Sequence, residues 1–202
     1  MNTNAPREIT SDEIATYHRD GVILLPGMFD ADWIALLRKG LGTNCKNPTD
    51  RSRVWDRDNA GRTMFWDSQA WRGIEEYRQF VFNSPAAQIA GQLMGSIHIN
   101  FFFDAVFVRS AGSQFATPWH QDEPYWSVKG YDTCTIWMPL DPVKRENALA
   151  YVPGSHQHDS IYNQYNFGNL NPDGKTNVDQ VDFTKIAEDA FPDIDANPES
   201  FG

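Results

Sequence analysis

The chain has 202 residues and a formal net charge of −10; 41% of its residues are hydrophobic and 13% aromatic, including seven Trp. This length favours one domain with a sizeable core, and the composition is typical of folded rather than disordered chains. The negative charge would repel nucleic-acid phosphates and anionic lipid surfaces, and no Lys/Arg cluster offsets it. We therefore expect neither nucleic acid nor a membrane as a partner, and nothing in the sequence indicates a protein partner.

The sequence also shows no pattern typical of a membrane span, a signal peptide or a paired-cysteine site. The apolar runs, such as Val22 to Leu25, are too short to span a bilayer, and the polar residues 1–4 do not begin a signal peptide. Cys45 and Cys134 are far apart and match no paired-cysteine metal spacing, so both are expected to be reduced thiols. We expect a cytoplasmic protein.

The first part of the chain predicts packed helices. Ser11 is expected to cap a short helix that Gly21 ends, and the apolar run 22–25 then predicts a strand. Asp30 opens a second, amphipathic helix, whose apolar residues recur every three or four positions and which is expected to end within 40–44.

Residues 47–72 show neither the helical nor the strand spacing of apolar side chains and are predicted to form a loop. This loop either covers a pocket or fills a satellite core with its large side chains (Trp55, Met64, Phe65, Trp66 and Trp71). Ser84 and Pro85 are the cap and first turn of another predicted helix, which runs through Leu93 and stops at Gly95.

Strand-like segments follow the helices. Residues 97–109, 133–138 and 149–152 are rich in β-branched and aromatic side chains and are separated by Pro and Gly. Helices followed by strands favour the α+β class, with a sandwich or small barrel.

We interpret residues 1–202 as a single domain, with a helical part over about 8–95 and strands from about 97. A long polar region runs from about 155 and is expected to be mainly loop, with one short helix near 183–190.

One triplet carries the chemistry. In an extended segment, residues two apart project to the same side, so His120 and Asp122 can both face one ion while Gln121 faces elsewhere. Imidazole with carboxylate suits iron and similar divalent ions. The alternative is a chance triplet that makes only a surface hydrogen bond. The aromatic side chains around the triplet favour a substrate pocket, although they would also suit plain packing (Trp119, Tyr125 and Trp126).

Three ordered motifs extend this signal: Thr117-Pro118-Trp119-His120-Gln121-Asp122, Trp137-Met138-Pro139-Leu140-Asp141, and Glu146-Asn147-Ala148-Leu149 leading to Val152-Pro153-Gly154-Ser155-His156. Together with residues 17–22 and 26–29, they resemble the phytanoyl-CoA dioxygenase family of Fe(II)/2-oxoglutarate-dependent oxygenases. The resemblance covers most of residues 10–156.

The resemblance implies a cupin-like jelly roll, a double-stranded β-helix with helices packed outside it. It implies Fe(II) bound by His120 and Asp122, with 2-oxoglutarate held by Gln121, Thr135 and Trp137. The implied reaction is hydroxylation of a small-molecule substrate by O2, with release of succinate and CO2 and support from ascorbate. Related halogenating enzymes lack the ligating carboxylate, so Asp122 favours hydroxylation.

The chain departs from the family pattern at its end. The family's second His, with an Arg about ten residues later, lies some ninety or more residues after the His-x-Asp motif, which is past Gly202. His156 and His158 come too early, and His156 matches the family's Pro-Gly-Ser-His turn. The chain is then a fragment without its last strands, which we favour, a shortened homologue without the site, or a protein that uses His156 or His158 instead.

Two rival functions remain open. One is a non-catalytic jelly-roll binding protein or inactive homologue without the distal ligand, and the other is a cupin-type isomerase or dioxygenase that binds iron but not 2-oxoglutarate. Other polar residues have simpler interpretations. His18 is expected to be exposed on the first helix, and His98 to be a core or edge residue of a strand. Arg109 and Arg145 are expected to form surface ion pairs, and Asp132 and Asp141 to lie in turns.

Overall fold

The computed structural model describes residues 1–55, 61–113, 117, 119–158, 161–162 and 194–196. These residues form four α-helices, one three-stranded antiparallel sheet and four short 3-10 turns. The predicted helix near 183–190 lies outside them. No helix within these ranges is long and apolar enough to cross a membrane.

Helix α1 spans Ser11–Asp20, close to its predicted position. Its cap is Thr10 and not Ser11, because Thr10 and Glu13 form a reciprocal capping box in which each side chain accepts a hydrogen bond from the other's backbone N–H. Gly21 ends the helix with φ of 76°, a left-handed conformation that favours glycine. The strand predicted over 22–25 is wrong, since this segment pairs with no strand in the described part of the chain.

Helix α2 spans Ala31–Lys46 and begins at the predicted cap, Asp30. It continues past the predicted end, and Gly40 serves close packing there: a Cβ on this buried residue would lie 2.8 Å from the ring of Tyr77. Tyr77 belongs to helix α3, Glu75–Asn83, which the sequence pattern did not predict.

Helix α4 spans Ala86–Met94 and ends at Gly95, as predicted. Pro85 occupies the cap position, and the Ser84 hydroxyl accepts a hydrogen bond from the N–H of Ala86 at 3.3 Å.

The sheet consists of β1 (Arg53–Trp55), β2 (Met64–Ser68) and β3 (Ala105–Arg109), in the order β1-β2-β3. The prediction of a loop over 47–72 is therefore wrong. The predicted strand over 97–109 is reduced to β3.

Neither 133–138 nor 149–152 is assigned as a strand, because neither pairs with a neighbour within the described ranges. The α+β class is confirmed at this level, while the described strands amount to a small sheet rather than a jelly roll.

The helices cover one face of this sheet. The core cluster of Leu37, Ala70, Ile74 and Tyr77 also contacts Val106 of β3, together with Met138 and Leu140. On the same face, the carboxylate of Asp67 is buried and accepts hydrogen bonds from Asn44 of α2 and from Thr49. A second cluster joins α4 to the N-terminal segment through Ile9, Met28, Ile89 and Leu93. The opposite face of the sheet lies away from the helical layer.

Candidate functional site

His120 and Asp122 follow β3 but do not lie on a strand. His120 has no regular secondary structure, and Asp122 precedes a 3-10 turn, Glu123–Tyr125, with φ of −76° and ψ of −38°. The expectation of a strand-borne pair is therefore wrong in its local geometry. The two side chains nevertheless meet, with 3.4 Å between Nε2 of His120 and Oδ1 of Asp122. They are 29% and 51% exposed, so the pair is open on one side.

Three further side chains surround the pair. The hydroxyl of Thr135 donates to Oδ2 of Asp122 at 3.4 Å, leaving Oδ1 directed at the imidazole. The ring of Tyr125 meets the His120 ring edge to face, with centroids 6.0 Å apart. Burial raises the pKa of Tyr151, and the nearby Asp122 carboxylate raises it further. Of the predicted site residues, Thr135 and Tyr125 thus contact the pair directly.

The remaining predicted residues have partners of other kinds. Oε1 of Gln121 accepts a hydrogen bond from the backbone N–H of Tyr162 at 2.9 Å. The indole N–H of Trp119 donates to Asp195 at 2.8 Å, and Trp126 packs edge to face on Phe102. Trp137, two residues after Thr135, is 45% exposed.

The donor set fits two positions of an iron site. Two ligand atoms at right angles, each about 2.1 Å from a divalent ion, stand about 3 Å apart, and the His120–Asp122 separation of 3.4 Å is close to this. A neutral imidazole and a carboxylate are suitable donors for Fe(II). Within the described ranges, no group of three or more His, Cys, Asp and Glu residues forms, so a third protein ligand does not join the pair there.

His156 instead belongs to a contact with α1. Its Nε2 lies 3.1 Å from the carbonyl oxygen of His18, and Gln157 donates to the carbonyls of His18 and Arg19. The N–H of Gly154 donates to the carbonyl of Asp20 at 2.9 Å. The Pro-Gly-Ser-His turn therefore caps the C-terminus of α1, which agrees with its interpretation as a turn.

Comparison with known proteins decides the family. The sequence profile described as Phytanoyl-CoA dioxygenase (PhyH) matches residues 17–182, which include the last turn of α1, the sheet and the His120–Asp122 pair. The chain belongs to the phytanoyl-CoA dioxygenase family. Members of this family are generally Fe(II)/2-oxoglutarate dioxygenases, which supports an enzyme of the oxidoreductase class. No curated protein and no solved structure matches the chain significantly.

Within this member of the phytanoyl-CoA dioxygenase family, sequence reasoning missed several residues near the site. Tyr151 and Tyr162 were not singled out for it, and no motif would have identified them because their contacts are long-range. The surface ion pairs expected for Arg109 and Arg145 are wrong: no described carboxylate lies within ion-pair distance of either one. Of the other residues, His18 is exposed as expected, His98 is exposed and outside the sheet, and Asp141 pairs with Arg38 at 2.7 Å.

Proposed function

We propose that this chain carries the metal-binding part of an Fe(II)- and 2-oxoglutarate-dependent dioxygenase that hydroxylates a small molecule and releases succinate and CO2. The observation that carries the proposal is the convergence of His120 and Asp122 within the His-Gln-Asp motif of the family. We also propose the jelly roll as the fold of the complete domain, since the antiparallel sheet with helices on one face is compatible with it.

Each residue has a role in this proposal. His120 and Asp122 would hold the iron, which when bound activates O2 for oxidation of a C–H bond. Thr135 orients the Asp122 carboxylate by donating to Oδ2, and the edge contact of Tyr125 restricts the His120 ring. We assign Gln121, Thr135 and Trp137 to 2-oxoglutarate.

The aromatic side chains of Trp119, Tyr125 and Trp126 would exclude water from the substrate side. None of these three is fully exposed in the structure. A dry, apolar lining strengthens electrostatic interactions within a site and protects reactive species from side reactions.

The direct test is iron-dependent production of succinate. The protein is supplied with Fe(II), ascorbate, O2 and 2-oxoglutarate, with and without a panel of small-molecule substrates, and succinate is quantified. We expect turnover by the complete protein, with its distal His, and loss of turnover in Asp122→Ala. Asp132→Ala removes an exposed carboxylate ten positions away and is the matched control. Equal turnover by Asp122→Ala and the unmodified protein would reject the assignment of Asp122.

A second candidate is a non-catalytic binding protein, favoured by the absence of a third ligand within the described ranges. Anaerobic addition of 2-oxoglutarate to the Fe(II)-loaded protein separates the candidates. The dioxygenase predicts a metal-to-ligand absorption band, whereas a binding protein or a cupin-type enzyme that does not use 2-oxoglutarate predicts none.

A further inference from the structure

The sheet face that lies away from the helices carries an aromatic pair and a cation. In an antiparallel sheet, directly paired residues project to the same face. Trp66 pairs with Phe107, and Met64 pairs with Arg109, so these four side chains share one face. Asp67 and Val106 lie on the other face, which contacts the helices. Met64 is buried, whereas Phe107 is 56% exposed, so the accessible apolar surface on this face is at Phe107.

The segment 135–140 connects the His120–Asp122 pair with the core cluster. Met138 and Leu140, two residues apart, both contact the core cluster between helices and sheet. In an extended segment, the odd-numbered residues next to Met138 and Leu140 project away from the core cluster. Trp137 is one of these residues and is 45% exposed. Thr135 has the same parity as Trp137 and reaches Asp122. Thr135, and with it Asp122, therefore lies on the side of this segment away from the core cluster.

Arg109 joins the outer face of the sheet to the segment that leads to His120. It is the last residue of β3, and its guanidinium donates to the hydroxyl of Thr117, three residues before His120. Three residues of chain span at most about 10 Å, so the Arg109–Thr117 hydrogen bond lies close along the chain to His120.

The charge of Arg109 is not balanced by the described part of the chain. Three other arginines each have a carboxylate at 2.7 Å: Arg7 with Glu13, Arg19 with Asp20 and Arg38 with Asp141. Arg109 has no carboxylate within ion-pair distance among the described residues, and partial burial lowers its pKa. The side chain is nevertheless exposed at the edge of the sheet, so a dissolved anion can reach the guanidinium and balance its charge.

We propose that Arg109 binds the carboxylate of an acid with an apolar body, and that this body packs on Trp66 and Phe107. Planar guanidinium and carboxylate groups form paired, charge-assisted hydrogen bonds, while the aromatic pair provides a flat apolar surface. The assignment of this acid as the oxidised substrate rests on the proposed function, whereas the binding of the acid does not.

The experiment measures binding without turnover. Phenylacetate is titrated into the metal-free protein by calorimetry at low ionic strength, beside its uncharged isostere phenylacetamide and, as a separate arm, 2-oxoglutarate. The variants are Arg109→Gln and Arg109→Lys. The matched control is Arg53→Gln, which removes a guanidinium on the same face at the opposite edge, where Arg53 pairs with Trp66 and donates to the Ser52 carbonyl.

We expect phenylacetate to bind at least about tenfold more tightly than phenylacetamide, a difference of about 1.4 kcal/mol. Arg109→Gln should remove this preference, Arg109→Lys should retain part of it, and Arg53→Gln should leave it unchanged. Unchanged phenylacetate binding by Arg109→Gln, or no binding by the unmodified protein, overturns the proposal. Weakening of 2-oxoglutarate binding alone also overturns it, because the cation then serves the co-substrate. Failure of succinate production would reject the dioxygenase assignment and leave these affinities intact.

Discussion

The imidazole of His156 lies directly over the backbone of Gly21: a Cβ added to Gly21 would stand 2.4 Å from Nδ1 of the ring. Gly21 ends α1 in a left-handed conformation, with φ of 76°. Glycine is therefore required at position 21 for two separate reasons. L side chains rarely adopt this backbone conformation, and His156 comes too close to leave room for a Cβ.

Gly21→Ala should lower the free energy of unfolding by about 2 kcal/mol, the sum of left-handed strain and displacement of His156. The matched control is Gly27→Ala, because Gly27 has φ of 75° but no atom within 4 Å of an added Cβ. It should lose only about 1 kcal/mol. Urea unfolding measures both values. Equal losses in the two variants would contradict the His156 contact.

The buried carboxylate of Asp67 should contribute strongly to stability at neutral pH. It accepts hydrogen bonds from Asn44 Nδ2 at 2.7 Å and from the N–H groups of Thr49 and Ser68 at 2.8 Å. Asp67→Asn would place an amide N–H against these donors and should lower the free energy of unfolding by about 3 kcal/mol at pH 7. Asp132→Asn, at an exposed position, is the control and should change little.

The loss in Asp67→Asn should depend on pH. Burial opposes ionisation of Asp67, but the hydrogen bonds from Thr49, Asn44 and Ser68 outweigh it and hold its pKa below the usual value. The carboxylate therefore stabilises the fold above the unfolded pKa of about 3.9, and this contribution disappears as pH falls through the lower folded pKa. Urea unfolding of both proteins at pH 7 and pH 3 checks this. A loss that is as large at pH 3 would contradict it.

Asp104 should show the opposite pH dependence. Burial raises its pKa, the nearby Asp67 adds to this, and Oδ1 is buried without a hydrogen-bond partner in the described structure. Because the folded state then holds a proton more tightly than the unfolded state, stability falls as pH rises from the unfolded pKa through the folded one.

Asp104→Asn removes this charge, and its amide oxygen can still accept from the N–H of Trp71, now at 3.2 Å from Oδ2. The variant should gain stability relative to the unmodified protein between pH 4 and pH 7. Parallel stability curves for the two proteins over this range, measured by urea unfolding, would refute the prediction.

The sequence predicted the elements that local chemistry determines. Asp30 was predicted as the cap of α2 and Gly95 as the end of α4, while the predicted cap of α1, Ser11, lies one residue after the true cap, Thr10. Strands β1 and β2 were not predictable in this way. The polar side chain of Asp67 in β2 is satisfied by Asn44, 23 residues away, and a strand that carries a buried carboxylate lacks an apolar period.

The same distinction applies to the site. The meeting of His120 with Asp122 is a contact between residues two apart, and the motif predicted it even though its strand conformation was wrong. The location of Arg109 depends on which face of β3 the helices cover, and this is decided by Val106 and the core cluster. Sequence alone therefore gave no reason to place Arg109 on the face away from the helices.

The hydrogen bond from Thr135 to Asp122 should tune metal binding. Thr135→Val keeps the shape of the side chain but removes the donor to Oδ2, so the carboxylate loses a group that orients it. Loss of such a supporting hydrogen bond typically weakens metal binding 10- to 100-fold, and because this contact is long, at 3.4 Å, we expect about tenfold. Mn(II) binding, followed by the loss of the free-ion electron paramagnetic resonance signal, measures the change without turnover. Thr133→Val is the matched control, since that hydroxyl donates to the carbonyl of Gly130. Equal Mn(II) affinities for the two variants would show that Thr135 does not orient Asp122, whereas a selective loss in Thr135→Val would identify Asp122 as a ligand in the folded chain.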